Sequence, residues 1–176
     1  MSVEVVFETH STSEDNEAGI ATGWLPGRLS AVGREQAREL GERRRGDGIA
    51  IVFVSDLRRA IETAEIAFAG SGFSLVQDSR LRECDYGRLN GTAEPLHDRA
   101  AQIDVAHPGG ESWRQAVDRV AGFLAELRRE RDDDRVLVIG HSATHLALEV
   151  TANGERLEEL VGARFTWQPG WEYVLD

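Results

Sequence analysis

The sequence predicts an α/β sandwich of three layers, a largely parallel sheet with helices on both faces. Three observations carry this. Residues 3–7, 49–54 and 136–139 are short, nearly unbroken apolar runs, which suit strands covered on both faces better than half-exposed ones. Residues with helical spacing follow each run across a turn or loop. The elements then alternate in the order β, α, β, α, β, loop, α, β, α, β, which short right-handed crossovers turn into a parallel sheet.

In chain order, the strand at 3–7 ends in a histidine set among hydroxyls, Thr9-His10-Ser11-Thr12-Ser13. Residues 14–27 show neither a helical nor a strand period and contain Asn16, Gly19, Thr22-Gly23 and Pro26-Gly27, so they read as a loop long enough to be functional. Ser30 reads as the cap of a helix over 34–45 that packs through Ala37, Leu40 and Gly41. The strand at 49–54 stops at Ser55, which is expected to cap a helix carrying Leu57, Ala60, Ile61, Ala64 and Phe68 on one side. Residues 73–76 suit a short strand, and 81–92 a loop rich in charge and glycine. Punctuated by Pro95 and Pro108-Gly109-Gly110, residues 92–110 allow a helical turn or two around 96–103. Ser112 caps an amphipathic helix with the stripe Val117, Val120, Ala121, Leu124 and Leu127. The strand at 136–139 again hands a histidine, His141, to a turn before a helix at 144–150. A short helix at 155–161 and an edge strand at Trp171–Leu175 close the chain. Trp24, Trp113, Trp167 and Trp171 could line a pocket, but aromatic residues are more often core and are read as core here.

A length of 176 residues suits one domain over 1–176, large enough to bury a core without staples. No stretch approaches the ~20 apolar residues of a membrane span. The opening strand is interrupted by Glu4 and makes no secretory signal, so a cytoplasmic location is the default expectation. Cys84, the sole cysteine, excludes an internal disulfide and a multi-cysteine metal site. The net charge of -11 argues against a nucleic-acid surface. An anionic substrate would therefore need a local positive focus.

The three buried strands supply one. In a parallel sheet their carboxyl ends share one side, which gathers His10, the segment from Ser55 to Arg59, and His141 around one crevice beside helix N-termini. Two imidazoles and a guanidinium in such a place suit phosphoryl transfer through a nucleophilic histidine. One ring nitrogen attacks phosphorus, positive groups spread over the equatorial oxygens, and a carboxylic acid protonates the leaving oxygen. The turn Gly140-His141-Ser142-Ala143-Thr144 imitates a serine nucleophile elbow, but the only histidine after Ser142 is His145, three residues on, so Ser142 reads as structural. The i, i+4 pair His141 and His145 has no glutamate between its two members, and no metal site is expected.

A series of motifs then appears in order: Thr9-His10-Ser11 with Asn16; Thr22-Gly23-Trp24; Leu29-Ser30 with Gly33-Arg34; Ser55, Leu57, Arg59, Ala60, Thr63 and Ala64 as S-x-L-x-R-A-x-x-T-A; L-R-E-C-D-Y-G from Leu81; P-G-G-E-S from Pro108; and V-I-G-H-S around His141. Over nearly its whole length the chain resembles the histidine phosphatase superfamily, the phosphoglycerate-mutase-like proteins. The resemblance implies that fold, no cofactor, and a small phosphate ester as the partner. It implies that His10 is the nucleophile, that Arg59 and His141 bind the phosphoryl group with Asn16 approaching it, and that Glu83 is the proton donor.

The chain departs from the family at the opening Arg-His-Gly, where Thr9 and Ser11 flank the histidine. A threonine hydroxyl supplies one neutral donor where arginine supplies a charged fork, a loss on the order of 1.5 to 3 kcal/mol of phosphate binding unless replaced. Arg28 in the adjacent loop is the candidate replacement, beside whatever Thr9 itself donates. Ser11 matters only if the family glycine needs a positive φ. The expected activity is metal-independent hydrolysis of phosphomonoesters through phospho-His10. The alternative is a pseudo-phosphatase that binds a phosphorylated or other anionic ligand without turnover, with a mutase ranked lower.

Overall fold

In the computed structural model, which describes residues 2–94, 97–163 and 165–176, the elements run β1 (Val3–Thr9), α1 (Glu14–Glu17), β2 (Ile20–Ala21), α2 (Ala31–Arg44), β3 (Ile51–Ser55), α3 (Arg58–Ala67), β4 (Leu75–Asp78), β5 (Thr92–Ala93), α4 (Trp113–Glu130), β6 (Arg135–Gly140), α5 (Ser142–Asn153), α6 (Leu157–Val161) and β7 (Trp171–Leu175). The main sheet has the order β4-β3-β6-β1-β7. Its first four strands are parallel and β7 pairs antiparallel to β1. From β1 the chain steps outward to β3 and β4 with α2 and α3 on one face. It then returns to β6 with α4 and α5 on the other, as right-handed crossovers require when the direction reverses.

The two-residue period of each strand decides what meets which helix layer. Val3, Val5, Phe7, Val136 and Val138 join α4 and α5 in one core, while Val6, Val52, Val54, Leu137 and Ile139 join α2 and α3 in the other. The same alternation turns Glu8 toward α2, where it is buried. It is matched there by Arg43 Nε and Nη2, each 3.1 Å away, and by Arg44 Nε at 2.8 Å. A carboxylate in that position needs such partners.

Register sets the edge that matters. Thr9 lies level with Gly140, and both Glu8 and Val54 pair with Ile139, so the residues that follow β1, β3 and β6 emerge side by side. The expectation of a shared carboxyl edge holds. Helix α2 reaches this edge because Gly33 has no side chain: a Cβ there would lie 1.9 Å from the Thr12 carbonyl oxygen, directly behind the His10 turn.

Several local expectations need correction. Residues 14–27 contain the short helix α1, capped by Ser13, and the strand β2, which pairs with β5 rather than with the main sheet. Neither has enough residues to show a period. Helix α2 starts at Ala31, three residues earlier than its apolar spacing suggested, because Ser30 accepts a bond from the Gly33 amide. Ser55 is not the cap of α3. The chain extends to Leu57 first, and the Ser55 hydroxyl is spent elsewhere. Residues 97–103 form turns, not a helix, and Leu96 lies outside the described residues. No helix among the described residues is long and apolar enough to cross a membrane.

Candidate active site

His10 is the first residue past β1, held there by its backbone N–H donating to Gly140 O at 3.0 Å. Its ring Nδ1 lies 2.7 Å from the Ser11 carbonyl oxygen. A carbonyl only accepts, so Nδ1 carries the hydrogen and Nε2 keeps the lone pair. Burial, reinforced by the Arg59 charge and opposed by the Ser11 bond, pushes the His10 pKa down to about 3. The ring is neutral at physiological pH. Ser11 is fixed by donation of its N–H to Thr63 Oγ1 at 3.0 Å, and among the described residues only Asp133 is a non-glycine with positive φ. Ser11 is therefore accommodated without backbone strain.

Arg59 enters from the first turn of α3, a helix fixed by burial of Ala60, Ala64 and Ala67. Its guanidinium bridges the two histidines. Nε points at His10 Nε2 from 3.4 Å, and Nη2 donates to Gly23 O at 3.0 Å and lies 3.3 Å from His141 Nδ1. Nη1 is buried without a hydrogen-bond partner among the described residues. Among the described residues no carboxylate pairs with this guanidinium; burial lowers its pKa while the charges of Glu83, Tyr86 and Asp15 act in the opposite sense. A buried cation with a spare donor is the signature of a site made for an anion.

His141 follows β6 and is almost fully buried. Arginine has only donors, so His141 Nδ1 accepts, and its hydrogen sits on Nε2, which donates to Ser55 Oγ at 2.9 Å. Burial first, then the charges of Arg59 and His10, hold it well below the ordinary histidine pKa. The two imidazole rings are 5.0 Å apart.

Glu83 occupies the helix N-terminus that sequence reasoning reserved for an external anion. Its Oε1 accepts from Cys84 N (2.9 Å) and Ala143 N (3.0 Å), and Oε2 from Ser142 N (3.2 Å), so the first turn of α5 holds the protein's own carboxylate. The loop behind it is clamped. Arg119 donates to the carbonyls of Arg80, Arg82 and Glu83 at 2.7, 3.1 and 3.1 Å and pairs bidentately with Glu111 of the P-G-G-E-S motif at 2.8 Å. Trp24 Nε1 donates to Glu83 O at 2.7 Å with the Arg82 guanidinium over its ring. Arg82 itself is forked onto Asp56 at 2.7 Å. Arg119 was missed from sequence because it lies on a helix amid other arginines; its only signal was the glutamate of P-G-G-E-S.

His10, Arg59, Glu83, His141, Thr9 and Asn16 all line one cleft of about 1220 Å³. Asn16 Oδ1 accepts from Ser13 N at 2.9 Å, which leaves its amide NH2 as the group able to reach a ligand. The structure does not bring Arg28 there. Its carbonyl is tied to Glu14 N at 3.0 Å where Ser13 bridges Leu29, and its side chain is exposed and outside the cleft lining. The second arginine in the lining is Arg99, stacked 4.2 Å from the Trp113 ring, in a segment whose lack of periodicity hid it. Of the four tryptophans expected in the core, Trp113 is buried, whereas Trp167 is 56% exposed and lines the cleft.

Known proteins resemble this chain in sequence and fold. The model of the histidine phosphatase superfamily (branch 1) matches residues 6–166. A 2,3-bisphosphoglycerate-dependent phosphoglycerate mutase of Methylobacterium sp. (strain 4-46) is 33% identical over 175 residues, covering 90% of this chain and 84% of the relative. A probable phosphoglycerate mutase of Salmonella newport is 32% identical over 149 residues, 79% of this chain and 69% of its own length. Among solved structures, a mycobacterial glucosyl-3-phosphoglycerate phosphatase superposes with a TM-score of 0.78 at 25% identity, covering 92% of this chain and 84% of that one. The alpha-ribazole phosphatase of Shigella flexneri shares the fold, with a TM-score of 0.80 at 22% identity over 100% of this chain and 90% of that one. With the match running from β1 almost to β7, this chain belongs to the histidine phosphatase superfamily.

Proposed function

We propose that the protein is a phosphomonoester hydrolase that needs no metal and works through a phosphohistidine on His10. The observation that carries this reading is the pairing of His10, whose Nδ1 hydrogen is held by the Ser11 carbonyl so that the Nε2 lone pair faces Arg59 Nε at 3.4 Å, with a buried guanidinium that forms no ion pair with a carboxylate among the described residues. The phosphate oxygens take the Arg59 donors, and Nε2 attacks phosphorus as the P–O bond to the alcohol breaks. Glu83 passes a proton to the departing oxygen from Oε2, the carboxyl oxygen with the single backbone bond. Water then attacks the phosphohistidine, its proton returns to Glu83, and orthophosphate leaves with His10 restored.

A hydrolase is favoured over a mutase because the rest of the cleft is poor in cations. Arg99 is the one arginine it adds among the described residues, against Glu94 and Asp98. A doubly charged phospho-acid would meet net repulsion there. The rival reading, a protein that binds an anion without turnover, is favoured by Thr9, which leaves the end of β1 without a charge. A panel of phosphate monoesters assayed with EDTA on wild type and His10→Ala separates the two. Turnover that survives the chelator and vanishes in His10→Ala is expected. No turnover of any member, together with activity created by Thr9→Arg, would establish the rival.

A further inference from the structure

Beyond the phosphoryl site the cleft has a wall of a different character. Among the described residues, those that 161–163 and 165–167 contribute to the lining are apolar: Val161, Gly162, Ala163, Phe165 and Trp167. Phe165 and Trp167 leave 42% and 56% of their surfaces exposed, a poor use of large rings in a chain that buries most of its others. Phe165 is nevertheless held in place, and so is the chain just past Trp167. Phe165 packs against Trp171 (ring centroids 5.9 Å apart) and His145 (6.1 Å), and these rest on Phe7, three residues before His10 on the same strand. Just past Trp167, Pro169 O accepts from Arg44 Nη2 at 3.1 Å, and Arg44 is itself locked onto buried Glu8. The aromatic wall is thus anchored at both ends to β1, the strand that delivers the nucleophile.

We infer that this wall is the leaving-group subsite, and that the substrates are monophosphates whose alcohol carries a planar, apolar ring system and no carboxylate. The inference rests on the phosphoryl site proposed above, since what covers the rings is the part of the ester that extends from a phosphate seated at Arg59. Tyr86 and Ala100 add apolar surface to the same cleft, where Glu94 and Asp98 outnumber Arg99 among the described lining residues and oppose a second negative charge. A ring stacked on Phe165 and Trp167 is the occupant that removes exposed apolar area without introducing charge there.

Non-hydrolysable phosphonates test this apart from catalysis. Methylphosphonate probes the phosphoryl site alone, naphthylmethylphosphonate adds a ring, and phosphonoacetate adds a carboxylate; each is titrated calorimetrically into wild type, Trp167→Ala and Phe165→Ala. Naphthylmethylphosphonate is expected to bind at least about tenfold tighter than methylphosphonate, and Trp167→Ala to remove most of that advantage while leaving methylphosphonate affinity unchanged. Trp167 is exposed, so its truncation leaves the fold intact. Equal affinities for the two, an advantage that survives both substitutions, or a preference for phosphonoacetate would overturn the inference. Methylphosphonate binding that is insensitive to Arg59→Ala would instead sink the phosphoryl-site reading, and the subsite with it.

Discussion

Two histidines follow the ends of neighbouring parallel strands, His10 after β1 and His141 after β6, and they differ in which ring nitrogen keeps a lone pair. In His10 the Ser11 carbonyl takes the hydrogen of Nδ1 and leaves the Nε2 lone pair facing Arg59 Nε at 3.4 Å; in His141 the Ser55 hydroxyl takes that of Nε2 and leaves Nδ1 facing Arg59 Nη2 at 3.3 Å. The fold delivers both residues in the same way. Their partners in the next layer out distinguish a nitrogen able to attack from one able to support, which is the division of labour that tautomer control provides.

The largest effect should come from breaking this asymmetry at its source. His10→Ala is expected to lose at least about 10⁴-fold in kcat, since no other group can carry the phosphoryl, while His141→Ala loses about 10² to 10³-fold by weakening charge stabilisation. Steady-state kinetics on both variants checks the ranking, and equal losses would abolish the distinction. Next, Glu83→Gln should cost about 10² to 10³-fold on alkyl phosphates but under about tenfold on a nitrophenyl ester, whose oxygen departs without a proton. A loss independent of leaving group would assign Glu83 to binding. A smaller effect is expected for Ser55→Ala, which frees the His141 tautomer without touching His10: about three- to tenfold in kcat/KM, with the phosphohistidine still formed. Failure to phosphorylate in that variant would show that the histidines are not separable.

The gentlest test is pH. Burial keeps His10 near a pKa of about 3 and His141 well below 6.5, so in the folded protein both stay neutral while the unfolded chain takes up protons near 6.5. Their stabilising contribution is therefore complete above about pH 6.5 and is lost progressively as pH falls from there toward 3. Denaturation midpoints should decline across that window, and kcat/KM should show no acid limb near 6.5 assignable to His10. His10→Ala should flatten the decline in stability. A midpoint that rises on acidification, or an acid limb at 6.5 that disappears with Glu83 intact and His141 unchanged, would contradict the buried neutral pair.

The parts of the molecule legible in sequence are those where one physical demand dominates. Apolar runs exposed the strands that are buried on both faces, and shared strand polarity was enough to bring His10, Arg59 and His141 to one edge. Glu83 was legible through its loop motif, although the motif carried no sign that the α5 N-terminus would be occupied by that carboxylate. Ser55 was misassigned because a serine before a helix usually caps it, whereas here a hydrogen bond to His141 competes for the hydroxyl. Arg28 looked well placed along the chain, yet side-chain direction in a bridged loop is set by contacts with no sequence period. The aromatic pair Phe165 and Trp167 escaped for the same reason: they have no helical or strand spacing, and tryptophan composition alone points inward.

The central claim is that His10 Nε2 takes the phosphoryl group, and rapid quenching of the enzyme during turnover tests it most directly. The account predicts a protein-bound phosphoryl group that is labile in acid, stable in base, and located on His10 at Nε2. A base-labile adduct, phosphorylation of another residue, or full turnover with no adduct trapped at any time would contradict it.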